Sequence, residues 1–563
     1  MTILTRRTLI VGGGATASAA TMSALGQGVS GPPHRQSASD CASSSAEPRW
    51  AAGVEGQRRA DLGNGFYLNP VLAGDQPDPS VLKDGDVYYK VSSSFVYYPG
   101  LVIWQSQDLV NWLPVGPALK EFVGSVFAPD LAKYDGRYYI YFAALNLPQP
   151  ESAAATPQKP KRQPMTTYVV HADHISGPWS DPVDTGIYNA IDPGHVVGED
   201  GKRYLFMSNG GLVPLRDDGL TRAGPTEKVY NGWDYPADWV VEGFALEGPK
   251  LLRRNEWFYL FSAEGGTAGP PTSHMVVVAR SRSIRGPWEN CPHNPIVRTA
   301  KSSEPWWSRG HATPVEGPRG DWWLVYHGYE NGFRTLGRQM LLEPMEWTMD
   351  GWPKARGGDL VKPIRMPSGG KPGPHGVAFS GGFSMEAFGH RLAFFKPRSD
   401  YLDRVRLEGD ALVLPGQGVG PSSASPLVLN AGDRRYEVSV ELELRGSAQG
   451  GLLLFYDEKF FCGLASNPTH FLSYKMGAQP LFTPSVAAIG MNLFLRLVND
   501  ENVASFFYSH DGKAWTKHSS FEVSGYNHNI ADGFLSLRPA IFVSGDGSVA
   551  FRSLKYMASA TNG

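Results

Sequence analysis

The sequence predicts an all-β protein: a five-bladed β-propeller followed by a β-sandwich of the concanavalin-like kind. Three observations predict it. Five aromatic stretches, DGDVYYKV, DGRYYIYF, DGKRYLFM, NEWFYLFS and DWWLVYHG, share one grammar and place Tyr89, Tyr139, Tyr204, Tyr259 and Trp323 at matching positions, 50, 65, 55 and 64 residues apart. A repeat of that length, built of short alternating strands, is the mark of radially arranged four-stranded blades. The chain is also rich in Gly (65), Pro (44) and aromatics (12%) and poor in long amphipathic helical patterns, which favours strands and turns. Beyond about residue 378 the texture turns to period-2 segments, Tyr436–Leu442 and Gly451–Tyr456, and to an Asp511-Gly512 hairpin turn, as a two-sheet sandwich requires.

In chain order, residues 1–26 open with Thr5-Arg6-Arg7-Thr8-Leu9-Ile10 and continue as a weakly apolar, Ala/Gly-rich run. This resembles a bacterial twin-arginine export signal, implying a periplasmic or extracellular destination. Residues 27–64 lack periodicity and read as a flexible leader. The propeller is expected over 65–366. Its blades are punctuated by Ser106–Trp112, Gly177-Pro178-Trp179, Gly286-Pro287-Trp288 and Met345–Pro353, each where an outer strand ends. Gln149–Pro164 is polar and Pro-rich, a surface excursion. Gly/Pro density then peaks in a linker over 367–377, and the sandwich is expected over 378–560.

With 563 residues the chain is too long for one core, so two domains are expected. The balance of 52 Lys+Arg against 54 Asp+Glu, net charge −2, gives no basic surface for nucleic acid. No segment is apolar for long enough to span a bilayer. Three cysteines (Cys41, Cys291, Cys462), widely spaced and without a CxxC, argue against a disulfide framework or zinc site.

Stepping back from each aromatic anchor reaches Asp78 (11 residues before), Asp130 (9), Asp192 (12), Glu247 (12) and His311 (12). One residue at the same place in every blade points to one central funnel, so distant carboxylates converge. Convergent carboxylates suit glycosidic bond hydrolysis, in which one carboxylate activates water and one carboxylic acid protonates the leaving oxygen. The acid must stay protonated near neutral pH, and a third negative group beside it raises its pKa.

The motifs then become specific. Asn69–Ser80 (NPVLAGDQPDPS), Ser92–Gly100 (SSSFVYYPG), Ala190-Ile191-Asp192-Pro193 and Leu246-Glu247-Gly248-Pro249 resemble, in order and in phase, the motifs of glycoside hydrolase family 43, in its β-xylosidase and α-L-arabinofuranosidase-like branch. The resemblance covers about residues 65–365, and the C-terminal region resembles the sandwich appended to the family's xylosidases. It implies Asp78 as general base, Glu247 as general acid and Asp192 as the residue that tunes the acid's pKa. It further implies Arg338 and Phe95 as sugar-binding residues. Phe127, in Phe127-Ala128-Pro129-Asp130, stands where the family usually carries Trp and is assigned to the first sugar site, shaped differently. The stretch Tyr235–Glu242 also departs from the family pattern. His311 resembles a histidine beneath the family's site. A structural calcium or other cation beside it stands as the alternative to a satisfied core histidine, and no cofactor is required.

The reading from sequence is therefore a secreted, inverting glycoside hydrolase that releases terminal xylose or arabinose from hemicellulose-type polysaccharides or oligosaccharides. Two alternatives remain beside it: action on another sugar (galactofuranoside, galactan or arabinan), and a non-catalytic carbohydrate-binding propeller. The expected partner is carbohydrate, not nucleic acid or membrane. The oligomeric state is left open.

Overall fold

A computed structural model describes residues 49–147, 164–481, 486–488 and 490–559. The signal sequence expected over 1–26, Cys41 and nearly all of the Gln149–Pro164 excursion lie outside the described residues. Five antiparallel sheets form the propeller, four of them four-stranded and the fourth blade with a fifth short strand, Val297–Arg298, beside its third, each entered from its innermost strand. The inner strands are Ser80–Asp84, Ser125–Tyr134, Gly194–Val197, Leu246–Arg254 and Trp306–Glu316, and neighbouring ones touch in closed cyclic order. Each aromatic anchor falls on the second strand of its blade: Tyr89 in Val87–Val91, Tyr139 in Arg137–Leu145, Tyr204 in Arg203–Met207, Tyr259 in Trp257–Glu264 and Trp323 in Trp322–Glu330. The second strand is covered on both faces by adjacent blades, which explains its run of large apolar residues. The Trp-containing punctuation lies between the third and fourth strands of its blades.

The ring is closed by sequence that precedes blade 1. Phe66–Tyr67 pairs with Ile364–Arg365. Asn69 donates from Nδ2 to Leu342 O at 2.9 Å and accepts from Leu342 N at 2.9 Å, so the Asn of the opening motif substitutes for a missing strand partner on blade 5.

The expected flexible leader is corrected at its end. Ala51–Ala52 pairs with Arg58–Arg59, and Arg58 is buried, its guanidinium held by Glu330 at 3.0 Å and Gln339 at 2.9 Å. Two-residue strands carry no periodicity, and a single tertiary ion pair leaves no local trace in sequence. The Gly/Pro-rich stretch over 367–377 is ordered irregular chain docked on blade 1, where Gly376 N donates to Trp112 O at 2.9 Å.

Two seven-stranded antiparallel sheets make the sandwich around one large core. Arg435–Gly446 and Gln449–Phe455 contain the two period-2 segments. The Asp511-Gly512 turn joins Val503–Ser509 to Thr516–Glu522, with Gly512 at φ +69°. One edge strand is borrowed: Tyr97–Tyr98, from blade 1, pairs with Phe394–Phe395 of the sandwich. Across the same seam Asn430 holds both the N–H and the C=O of Asp75 at 3.0 Å, and Arg538 reaches Asp75 Oδ2 at 3.1 Å. Cys291 and Cys462 are free and buried.

Candidate active site

Every inner strand carries one matching residue in the left-handed region, just before the strand in blades 1 and 3 and within it in blades 2, 4 and 5: Asp78 (φ +55°), Ala128 (+34°), Asp192 (+57°), Gly248 (+56°) and His311 (+57°). In four blades the next residue is proline, which fixes the following φ and brings the chain into the strand. In blades 2, 4 and 5 the pairing register shifts here, the sign of a bulge that re-aims side chains. The true repeat therefore aligns Asp78 and Asp192 with Ala128, Gly248 and His311. Glu247 sits one residue earlier and Asp130 two residues later. Gly248 is required twice over: its φ is positive, and a Cβ there would lie 2.8 Å from His311 Nδ1.

Asp78, Asp192, Glu247, Phe95, Phe127, Arg338 and His311 all line one pocket of about 140 Å³ at the propeller axis. Phe95 and Phe127 meet edge to face, centroids 5.6 Å apart at 83°, and form a corner of it. Phe95 is set there by a reciprocal backbone pair with Val126.

Asp78 is the most heavily held carboxylate. Oδ1 accepts from Arg338 Nη1 at 2.8 Å and Oδ2 from Ser93 Oγ at 2.5 Å, while Ser93 Oγ also accepts from Ala128 N at 2.6 Å. The backbone N–H of Asp78 donates to His327 Nδ1 at 2.9 Å, which fixes the neutral His327 tautomer with its proton on Nε2. That Nδ1, 3.3 Å from Oδ1, has no proton left to give the carboxylate. Burial, the largest single influence, pushes the Asp78 pKa up, but Arg338 together with His311 and His327 outweighs it, and the carboxyl lies well below the usual range.

Asp192 and Glu247 are displaced the other way. Burial raises both; the charge of Glu247 raises Asp192 further, and the charge of Asp78 raises both. Glu247 is pushed up to about 7. Asp192 Oδ2 accepts the N–H of Gly248 at 2.8 Å, a bond that favours charge on Asp192. The proton held by the pair is therefore best placed on Glu247. One pocket thus contains a carboxylate fixed as an anion and a carboxylic acid protonated up to neutrality.

The other two repeat members have different functions. Asp130 lies outside the pocket lining and accepts from Ser80 Oγ (3.1 Å), Lys250 Nζ (2.7 Å) and His195 N (2.7 Å), tying blade 2 to blades 1, 4 and 3. His311 is buried beside Asp78, its Nδ1 3.4 Å from Oδ1, and burial lowers its pKa to about 3, so the ring is neutral. Among the described residues no group of three or more His, Cys, Asp or Glu side chains is gathered closely enough to hold a metal ion. No chemistry below passes through a cation beside His311.

The profile of glycosyl hydrolases family 43 matches residues 67–353, half of the chain. The chain belongs to family 43. It is 34% identical over 324 residues to a xylan 1,3-β-xylosidase of a Vibrio species, covering 51% of this chain and 56% of that one. It is also 34% identical over 324 residues to a non-reducing end α-L-arabinofuranosidase of Bacteroides ovatus, covering 54% and 55%. The chain thus spans about half the length of these curated relatives. The crystal structure of the family 43 protein BlXynB from Bacillus licheniformis superposes with a TM-score of 0.75 at 26% identity, covering 88% of this chain and all of that one.

Several pocket residues of this family 43 chain have no signal in the sequence. Phe534 enters from the sandwich: with φ +57° it stacks on His528 at 3.9 Å, and its backbone N–H donates to His528 Nδ1 at 2.8 Å. Arg338 lies between two rings, its guanidinium carbon 5.7 Å from the Phe95 centroid and 5.3 Å from that of Phe534. His274 is buried in the pocket floor and stacks on His327 at 5.3 Å and 7°. Neither of its ring nitrogens has a hydrogen-bond partner among the described residues. No tryptophan lines the pocket among the described residues: Trp306 is buried in the core of blades 4 and 5, and Trp233 and Trp307 lie outside the lining.

Proposed function

We propose that this protein is an exported glycoside hydrolase that removes terminal pentose, xylose or arabinose, from hemicellulose-type polysaccharides or oligosaccharides by single displacement with inversion. The observation that carries the reading is the opposite displacement of two carboxyl groups in one pocket, Asp78 held well below the carboxylate range and Glu247 pushed up to about 7. In the proposed reaction Asp78 takes a proton from water as the water oxygen attacks the anomeric carbon. Glu247 gives its proton to the departing glycosidic oxygen, and the bond between that oxygen and the anomeric carbon breaks. Loss of the Glu247 proton adds negative charge beside Asp78, which raises the basicity of Asp78 as it takes up its own proton. Asp192, the third carboxyl group of the pocket, is assigned to hold and tune Glu247 before reaction. Arg338 and the Phe95–Phe127 corner hold the terminal sugar, with Phe534 closing the pocket against a continuing chain, which favours action at chain ends.

The xylosidase and arabinofuranosidase names of the relatives support the pentose. A panel of aryl xylopyranoside, arabinofuranoside and galactofuranoside tests it, with turnover expected on one or both pentosides. Hydrolysis of the galactofuranoside alone would overturn the sugar assignment. NMR of the first-formed product tests the mechanism, since retained anomeric configuration is incompatible with single displacement.

A further inference from the structure

A second cavity, about 130 Å³, opens at the seam between blade 1 and the sandwich, behind the wall that holds Asp78. The stretch Lys90–Phe95 serves both spaces. Ser93 reaches Asp78 and Phe95 lines the catalytic pocket, while Lys90, Ser92 and Ser94 line the seam. Lys90 and Ser92 are buried, and so is Tyr97, which also lines the seam. Ser92 Oγ, Ser94 Oγ and Tyr97 OH have no hydrogen-bond partner among the described residues. Such hydroxyls are seldom left unsatisfied once removed from water.

The charge balance is one-sided. Four cations line this cavity (Arg58, Lys90, Arg391, Arg538) against two carboxylates, Asp75 and Asp433. Arg58 is neutralised outside it by Glu330, and Asp75 is taken by Arg538 at 3.1 Å. Lys90 is left with the neutral Gln76 Oε1 as its hydrogen-bond partner and the Trp104 ring 5.7 Å from its ammonium. Burial, the larger influence, pushes that ammonium down to about 7, while Asp75 pulls it up. A buried cation beside unsatisfied donors is stabilised most by an acceptor that also carries negative charge.

We infer that the seam is a binding site for a small oxyanion of the carboxylate or phosphate class, held by the Lys90 ammonium and the hydroxyls of Ser92, Ser94 and Tyr97. The catalytic pocket is lined by three carboxyl groups, and its arginine, Arg338, is already paired with Asp78, so an oxyanion is better held at the seam than at the site of hydrolysis.

The test uses the full chain in mildly acidic buffer at constant ionic strength, titrated with inorganic phosphate, with acetate, and with xylitol as a neutral polyol. Thermal unfolding and calorimetry are the readouts, on the parent and on Lys90→Met, Ser92→Ala/Ser94→Ala and Glu247→Gln. The expected result is a saturable rise in Tm of about 2–4 °C with phosphate or acetate. Glu247→Gln should respond like the parent, both seam variants should lose roughly tenfold or more in affinity, and xylitol should have no effect. The phosphate and acetate arms identify which oxyanion is preferred. If Lys90→Met does not fold, the serine variant decides. Equal shifts in parent and seam variants would mean a general salt effect, a response to xylitol alone would mean a polyol site, and no response would mean that the seam holds only water. Each of these overturns the assignment.

Discussion

Arg338 and Asp78 form a 2.8 Å ion pair with both side chains almost sealed from solvent. A buried pair of this kind is justified less by stability than by the charge state it imposes. Arg338 is the largest influence holding Asp78 down against burial. Replacing it with methionine removes that influence, so the Asp78 pKa must rise. The acidic limb of kcat/KM, set by Asp78 in the free protein, should move up by about 1–3 pH units in Arg338→Met. A pH–rate profile from pH 3 upwards checks this. A limb that stays in place while kcat/KM falls would confine Arg338 to holding substrate.

Glu247 sets the other limb. The proposed acid works only when protonated, and its pKa lies at about 7. The parent should hold its kcat/KM through mildly acidic pH and lose it tenfold per unit above about 7. In Glu247→Gln that limb should vanish. The cost should be about 10²–10⁴-fold on substrates whose leaving group needs a proton, and far smaller on aryl glycosides with good leaving groups. Equal losses on both substrate types would remove Glu247 from the acid role.

How much of this site can be read from sequence depends on whether a residue's position is fixed locally or by tertiary packing. Asp78 and Asp192 are legible because a left-handed residue, followed by proline in four of the five blades, recurs on or just before the inner strands, 11 or 12 residues before the aromatic anchor of the second strand. Glu247 is found by the same counting with an error of one: the repeat position is Gly248, and the acid precedes it because the bulge turns its side chain toward the axis. Asp130 has the opposite error, lying two residues beyond Ala128, which places it under the floor. Ser93, His274, His327 and Phe534 belong to other strands or to the other domain, and no spacing announces them. The buried Arg58 hairpin is invisible for the same reason: its partners, Glu330 and Gln339, are supplied by blade 5.

Asp130 and Lys250 should matter for stability. Both are buried, and their 2.7 Å contact joins blade 2 to blade 4 beneath the pocket. Lys250→Met leaves a carboxylate buried without its cation, a loss of about 3–5 kcal/mol. Urea unfolding at neutral pH should show it. Asp130→Asn/Lys250→Met, which removes both charges, should recover part of the loss, because the uncompensated charge is the larger cost.

Phe534 gives the sandwich a direct part in substrate binding. Its ring lies against the Arg338 guanidinium and closes the pocket from the side opposite Phe95. Phe534→Ala removes apolar surface that covers the bound sugar, worth about 1.5–3 kcal/mol if fully used, or roughly 10–100-fold in KM. Asp78 and Glu247 are untouched, so kcat should change much less than KM and both pH limbs should stay where they are. The sandwich should remain intact, because its attachment to the propeller runs through Asn430, Arg538 and the borrowed Tyr97–Tyr98 strand, none of which depends on this ring. Steady-state kinetics on short oligosaccharides, together with Tm, separate the cases: raised KM at unchanged Tm identifies a substrate contact. An equal fall in kcat and in Tm would instead mean that Phe534 acts by holding the seam together.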